Sequence, residues 1–416
     1  MKIIPGKLKN CLSVLVLLLS ILSINYSCTS NNITQDPIIT AKVSFKASGM
    51  DSVKLAEIPV VMQQFVNEKK ISGAVTMVIR NGSIASFEAV GLQDIEKNIH
   101  MQKNTFFRIA SMSKPFAAAA IMMLEEEGKL QLDDPVEKHL PEFQKMWLTY
   151  ELTEEKKILI MPRRPITIRD ILAHIDGLDA LPSAVSVNSI AEYTLVISQR
   201  PLLFEPGSEW RYGGAGITAA ARIVEVISGQ AYEKFLKERI FIPLGMKNTT
   251  FSISDDVIEK LATLYQPSPD SGLEAIDAPD WYKFPRPEGG LISTAYDMSI
   301  WMQSILNKGI YNGTRILTEL SVNEIIKIQT NDLKTGFTEG MGFGLAFGVV
   351  GNPTGVTSML SKGSFGHGGA FGTQYWADPM TNTIYILMIQ RKGFDNGDDS
   401  DIRKAFQLIA SKAIIE

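Results

Sequence analysis

"RIASMSKPFAAAA", residues 108–120, sets Ser111 and Lys114 three positions apart at the mouth of an apolar run, Pro115–Leu124, that has no polar residue to mark an exposed face. A proline is tolerated inside a helix only in the first turn, where its missing N–H serves no carbonyl, so Pro115 places the helix start near residue 112. Ser111 then stands at a helix N-terminus, where unpaired N–H groups and the positive end of the dipole favour a developing negative charge. Lys114 falls on the same helical face. Burial disfavours the ammonium and frees the amine to accept a proton, so the sequence predicts a desolvated lysine beside a serine hydroxyl. By itself Ser-x-x-Lys is expected by chance about once in a chain this long; its position at the mouth of a buried helix is what gives it weight.

Upstream, "VKLAEIPVVMQQFVNEKK" (53–70) has helical spacing and "GAVTMVIRNGSIASFEAVG" (73–91) holds two β-rich runs around Asn81-Gly82, a type I′ hairpin signal. The C-terminal end mirrors this with "GFGLAFGVV", "FGTQYWADPMTNTIYILMIQ" and a helical "SDIRKAFQLIASKAI". These segments predict an α/β (α+β) fold, with about five antiparallel strands in two sequence-distant groups and helices from both chain ends over one face. Apolar helices at 115–127, 215–229 and 294–307 make the middle a mainly helical insertion. The expected division is a sheet part from 51–114 and 311–416, and a helical part from 115–310.

The chain has 416 residues, 45% hydrophobic and 21% charged, an ordinary globular composition with a net charge of −4. Its cations are scattered, which argues against nucleic acid as a partner. Both cysteines, Cys11 and Cys28, precede residue 30, so the body has no thiol, disulfide framework or cysteine metal site. Lysines at 2, 7 and 9 followed by the apolar run Leu12–Ile24 fit a secretory signal, too short to span a bilayer. The chain is therefore expected to be exported, with residues 1–28 as leader and the polar stretch 29–50 as a tether. Cys28, preceded by Ser27 and followed by "TSNNITQD", resembles the lipidation site of a bacterial lipoprotein, which would anchor an otherwise periplasmic protein; ordinary signal cleavage nearby is the alternative.

Two further stretches carry candidate chemistry. In "FEPGSEWRYGGAGITAAARIVEVISG" (204–229), Tyr212 ends a turn-rich segment just before a helix, where its hydroxyl can enter a cleft, although a tyrosine in "WRY" serves packing as readily. The Gly214-x-Gly216-x-x-Ala219 pattern there follows no apolar strand and so fails as a dinucleotide fingerprint. In "GSFGHGGAFGTQYW" (363–376), glycines crowd His367 at the start of a predicted strand and allow close backbone approach to a ligand, or merely form a bulge around an incidental histidine.

"FRIASMSK", "WRYGGAG" and "GHGG", in that order, resemble the three motifs of the serine β-lactamase and penicillin-binding-protein superfamily, specifically its class C-like branch of esterases and D-aminopeptidase-like hydrolases. The segments 164–178, 289–306 and 340–350 agree, so the resemblance covers about residues 52–413. It implies Ser111 as acylated nucleophile, Lys114 as the amine that tunes it and Tyr212 as proton acceptor. His367 and Gly369 would form the third motif, and the backbone N–H groups of Ser111 and Ala370 the oxyanion hole. It implies no metal and no organic cofactor. There is no Gly-x-Ser-x-Gly elbow and no His-Glu-x-x-His helix, and His174, in "LAHIDGL", matches a structural loop of the superfamily.

The chain departs from the superfamily at two places. Gly214 stands where the second motif has asparagine, a missing amide that an asparagine would be expected to restore, and His367 replaces a permanently charged lysine. The function implied is a serine hydrolase acting through an acyl-enzyme on an ester, amide or peptide, with a small-molecule or cell-wall-like substrate. A slowly acylating or non-catalytic penicillin-binding or sensor module is the alternative.

Overall fold

The structure is a computed structural model and describes residues 42–153, 155–182, 184–278, 283–394 and 396–415. Cys28 and the expected leader lie outside the described residues. The elements that position the site are, in chain order, α1 (Glu57–Asn67), β1 (Gly73–Arg80), β2 (Ser83–Asp94), β3 (Ile99–His100), α2 (Lys114–Glu126), β4 (Leu148–Leu152), β5 (Lys157–Ile160), α3 (Ile168–Ala173), α4 (Ala215–Ser228) and α5 (Ala295–Leu306). There follow β6 (Met341–Phe343), β7 (Gly348–Val350), β8 (Phe365–Gly368), β9 (Gln374–Asp378), β10 (Thr383–Met388) and α6 (Asp401–Lys412).

One antiparallel sheet runs β6-β7-β8-β9-β10-β1-β2-β3. The β1–β2 turn has Asn81 and Gly82 both left-handed (φ 52° and 71°), as a type I′ hairpin requires. On its other edge β1 pairs with β10, from Val75 opposite Met388 to Arg80 opposite Thr383, so the two ends of the chain are zipped together at the centre of the sheet. Among the described residues this sheet has eight strands rather than about five. "GFGLAFGVV" is two short strands around a turn with Ala346 left-handed (φ 57°), the His367 segment is a strand of its own, and Ile99–His100 adds an edge. Strands of two to four residues, three of them holding glycine, are too short to show a period of two.

Alternation along the central strands assigns the two faces. Ala74 and Val78 of β1, with Tyr385 and Leu387 of β10, pack under α1 and α6 through Ile58, Met62, Ile402 and Phe406. Val75, Met77 and Ile79, with Ile384, Ile386 and Met388, face the helical mass, where Phe116 of α2 stacks on Trp301 of α5 at 4.4 Å between ring centroids. The end of the expected tether is ordered: Ser44 caps a turn of helix, Phe45–Ser48, and Met50 bridges to Ile414. Among the described residues no helix is long and apolar enough to cross a membrane.

Candidate active site

The chain reaches Ser111 through a tight turn. Ala110 is left-handed (φ 46°) and opens a 3₁₀ turn, Ala110–Ser113, that runs into α2 with Pro115 in the first turn. Left-handed backbone costs a residue with a Cβ about 1–2 kcal/mol, so the turn has to be held. The Ser113 hydroxyl donates to the Ala110 carbonyl (2.7 Å) and accepts from the Leu291 N–H (3.2 Å). From the sheet, Thr373 Oγ1 donates to the Ile109 carbonyl (3.2 Å) and the Tyr375 hydroxyl to the Met112 carbonyl (2.9 Å).

Lys114 is buried, with Nζ 2.8 Å from Ser111 Oγ, 2.7 Å from the Glu288 carbonyl and 4.7 Å from the centre of the Tyr212 ring. Burial pulls its pKa down to about 7; the Glu288 carboxylate opposes that shift and the Arg286 guanidinium adds to it. On the other side of the serine, enclosure drives the Tyr212 phenol well up, offset in part by the hydrogen bond from Ser111. Tyr212 is therefore a neutral hydroxyl near pH 7.

His367, on β8, is buried. Its Nδ1 lies 2.7 Å from the Gly368 carbonyl, which can only accept, so Nδ1 carries the proton and Nε2 accepts from the Tyr212 hydroxyl at 3.4 Å. Burial lowers its pKa to about 4, helped by the nearby Lys114. A neutral imidazole thus orients the tyrosine and supplies no positive charge. A Cβ at Gly369 would lie 2.5 Å from the Ile109 carbonyl oxygen, so only glycine lets the third motif approach the Ser111 turn this closely.

Ser111, Tyr212, His367, Gly369 and Ala370 line one cleft of about 260 Å³, completed by Phe337, Phe394 and Asp398. The sequence-identified residues are thus brought together from three distant segments. Among the described residues neither the Ser111 nor the Ala370 N–H donates to a protein acceptor, which leaves both available to an oxyanion. His174 is buried outside the cleft lining, 4.8 Å from the Tyr212 ring centre, and closes α3 with a left-handed backbone (φ 60°). Its place is that of a packing residue. No cluster of three metal-ligating side chains occurs among the described residues.

The position of the missing asparagine amide is not vacant: a Cβ on Gly214 would stand 2.7 Å from Glu288 Cγ. Glu288 fills that space, its carboxylate accepting from Arg286 Nε (2.8 Å) and Thr218 Oγ1 (3.3 Å), while its carbonyl accepts from Lys114. Sequence reasoning missed Glu288, and the only sign of it was an acidic residue in the turn "RPEGG" (286–290) ahead of an apolar strand.

Protein Rv1367c of Mycobacterium tuberculosis is 32% identical to this chain over 345 residues, covering 77% of this chain and 86% of its own length. Esterase EstB of Burkholderia gladioli is 26% identical over 386 residues, covering 82% and 93%. Among solved structures, EstCE1, described as a hydrolase with promiscuous acyltransferase activity, superposes with a TM-score of 0.73 at 24% identity over 87% of this chain and 99% of its own, a likeness of fold. The Beta-lactamase family profile matches residues 60–409. With Ser111, Tyr212 and His367 lining one cleft of this fold and Lys114 buried against the serine, the chain belongs to the Beta-lactamase family.

Proposed function

We propose that the chain is a serine acyl-hydrolase that cleaves uncharged carboxylic esters through an acyl-enzyme on Ser111. The observation that carries this is the 2.8 Å contact between Ser111 Oγ and a lysine whose burial brings its pKa to about 7. At neutral pH about half of Lys114 is then a free amine placed to take the serine proton. Ser111 Oγ bonds to the acyl carbon and its proton passes to Lys114. The carbonyl oxygen, now negative, meets the N–H groups of Ser111 and Ala370. As the ester C–O bond breaks, the Tyr212 hydroxyl, held by His367 Nε2, gives its proton to the departing alkoxide and takes the one carried by Lys114, which returns to the free amine. Water then attacks the acyl carbon and gives a proton to Lys114; as the acyl C–Oγ bond breaks, Lys114 returns that proton to Ser111 Oγ, freeing the carboxylic acid and restoring the amine. Lys114, rather than the high-pKa Tyr212, is the base in this scheme.

Esters are favoured over β-lactams by the charge of the cleft. Among the described residues its lining contains one carboxylate, Asp398, and no lysine or arginine, and His367 is neutral, so a substrate carboxylate meets no cation there beyond the buried Lys114 behind Ser111. The relative Esterase EstB is consistent with that preference. Intact mass after exposure to a fluorophosphonate should show one adduct that Ser111→Ala abolishes. kcat/KM for a p-nitrophenyl ester should exceed that for a chromogenic cephalosporin by at least about 10-fold. Wild-type turnover by Ser111→Ala, or adduct formation with no ester turnover, would overturn the proposal. We also propose export with lipidation at Cys28, in a periplasmic setting; a clickable fatty acid should label the wild type and not Cys28→Ala.

A further inference from the structure

The β4–β5 hairpin stands away from the active site and none of its residues lines the cleft. Its register pairs Leu148 with Ile160 and Thr149 with Leu159, then shifts so that Glu151 meets Ile158 and Leu152 meets Lys157. Paired residues share a face, which puts Leu148, Glu151, Ile158 and Ile160 on one side and Thr149, Leu152, Lys157 and Leu159 on the other. The first side is the inner one: Leu148 is buried in the main core and Ile160 packs against it.

The outer side is apolar and uncovered. Leu152 and Tyr150, the extra residue at the register shift, are each 69% exposed, and Trp147, Leu159 and Met161 lie open beside them. Five large apolar side chains within residues 147–161 form a patch of the kind that marks an interaction surface. Cations outnumber carboxylates around it: Lys145, Lys157 and Arg163 form no ion pair among the described residues and Lys156 is matched to Glu151, while Glu155 stands exposed in the turn. At its foot Lys145, Met146, Met161 and Arg163 line a cavity of about 260 Å³.

An aromatic and aliphatic centre with a cationic rim matches the surface of an anionic bilayer. Tryptophan and tyrosine settle at the headgroup level, and lysine and arginine stems lie along apolar surface with their charges on the phosphates. We propose that the outer face of the β4–β5 hairpin docks on the surface of an anionic phospholipid bilayer, with Trp147, Tyr150, Leu152, Leu159 and Met161 entering the headgroup region and Lys157 and Arg163 on lipid phosphates.

Amide exchange of the full chain tests this with vesicles of phosphatidylcholine, with and without phosphatidylglycerol. Exchange across 147–161 should slow only with phosphatidylglycerol. The variants Trp147→Ser/Leu152→Ser/Leu159→Ser and Lys157→Glu/Arg163→Glu should each lose vesicle binding on the order of 10-fold, with unchanged kcat/KM on a water-soluble ester. Hairpin exchange indifferent to phosphatidylglycerol would overturn the proposal, as would variants that bind like the wild type. Slowing that follows protein concentration without lipid would instead assign the face to self-association.

Discussion

Lys114 is the residue on which rate and pH both turn. The amine acts as a base only when unprotonated, so with its pKa near 7 the kcat/KM for a neutral ester should rise with pH through about 7 and level off above it. His367, held neutral with a pKa near 4, should add no second inflection between those values. Lys114→Ala should lose about 10²-fold or more in acylation and flatten the profile; a Lys114→Ala profile that still rose through 7 would assign the base elsewhere. Ser111, Lys114, Tyr212 and His367 were picked out from the chain by three short motifs in a family order, the local signals at Tyr212 and His367 being weak on their own. Glu288 was not, because its meaning lies in contacts such as that with Thr218, 70 positions away. Its place gives Gly214→Asn a cost in stability. The new Cβ would press to 2.7 Å on Glu288 Cγ, costing about 1–3 kcal/mol as overpacking does. Denaturation midpoints should fall for Gly214→Asn and recover in Gly214→Asn/Glu288→Ala, since Lys114 bonds to the Glu288 backbone and not to its side chain.

At the scale of elements, the 3₁₀ turn before α2 is a strained piece held by buried hydrogen bonds, and Ser113 is its clasp. Ser113→Ala removes a donor to the Ala110 carbonyl and strands the Leu291 N–H, so it should cost about 1–3 kcal/mol. With Ala110 less firmly held, the Ser111 hydroxyl loses alignment. Acylation should slow while fluorophosphonate still labels the protein to one adduct, measured by stopped-flow and intact mass. An Ala variant with wild-type acylation would show that the turn holds itself. The helices were legible in the sequence: 115–127, 215–229 and 294–307 lie within a residue of α2, α4 and α5 at either end. Their ends are chemically marked, by Pro115 in the first turn of α2, by Gly229 in the left-handed conformation after α4 and by Thr294 capping α5. The five-strand estimate undercounted because β3, β6, β7 and β8 are set by pairing partners across the sheet rather than by any pattern of their own.

For the whole molecule, placing the site where the helical mass meets the sheet means burying an amine in a core, and stability should record that. Lys114 has a pKa near 7 when folded and about 10.5 when unfolded. Between those values the unfolded chain binds a proton that the folded chain lacks, so unfolding takes up a proton and stability rises with pH. Below 7 both states are protonated and the slope from this group ends. The buried tyrosines and Arg403 act only near pH 10 and above, so the stretch from pH 7 to 9 is where Lys114 is read. Asp176, raised to about 7, loses its contribution as pH climbs from 3.8 to 7, and His367 loses stability as pH falls from 6.5 towards 4. From pH 7 to 9 the gain attributable to Lys114 is up to about 2–3 kcal/mol, at about 1.4 kcal/mol per pH unit. Lys114→Met keeps the volume and removes the titration. Its chemical-denaturation free energy should lack this part of the pH 7 to 9 rise and exceed that of the wild type at pH 7, while ester turnover is lost. That pairing of greater stability with lost catalysis is what a functional buried lysine predicts. Equal pH slopes for the two proteins would mean that Lys114 keeps its proton in the fold and that the base in the cleft is another group.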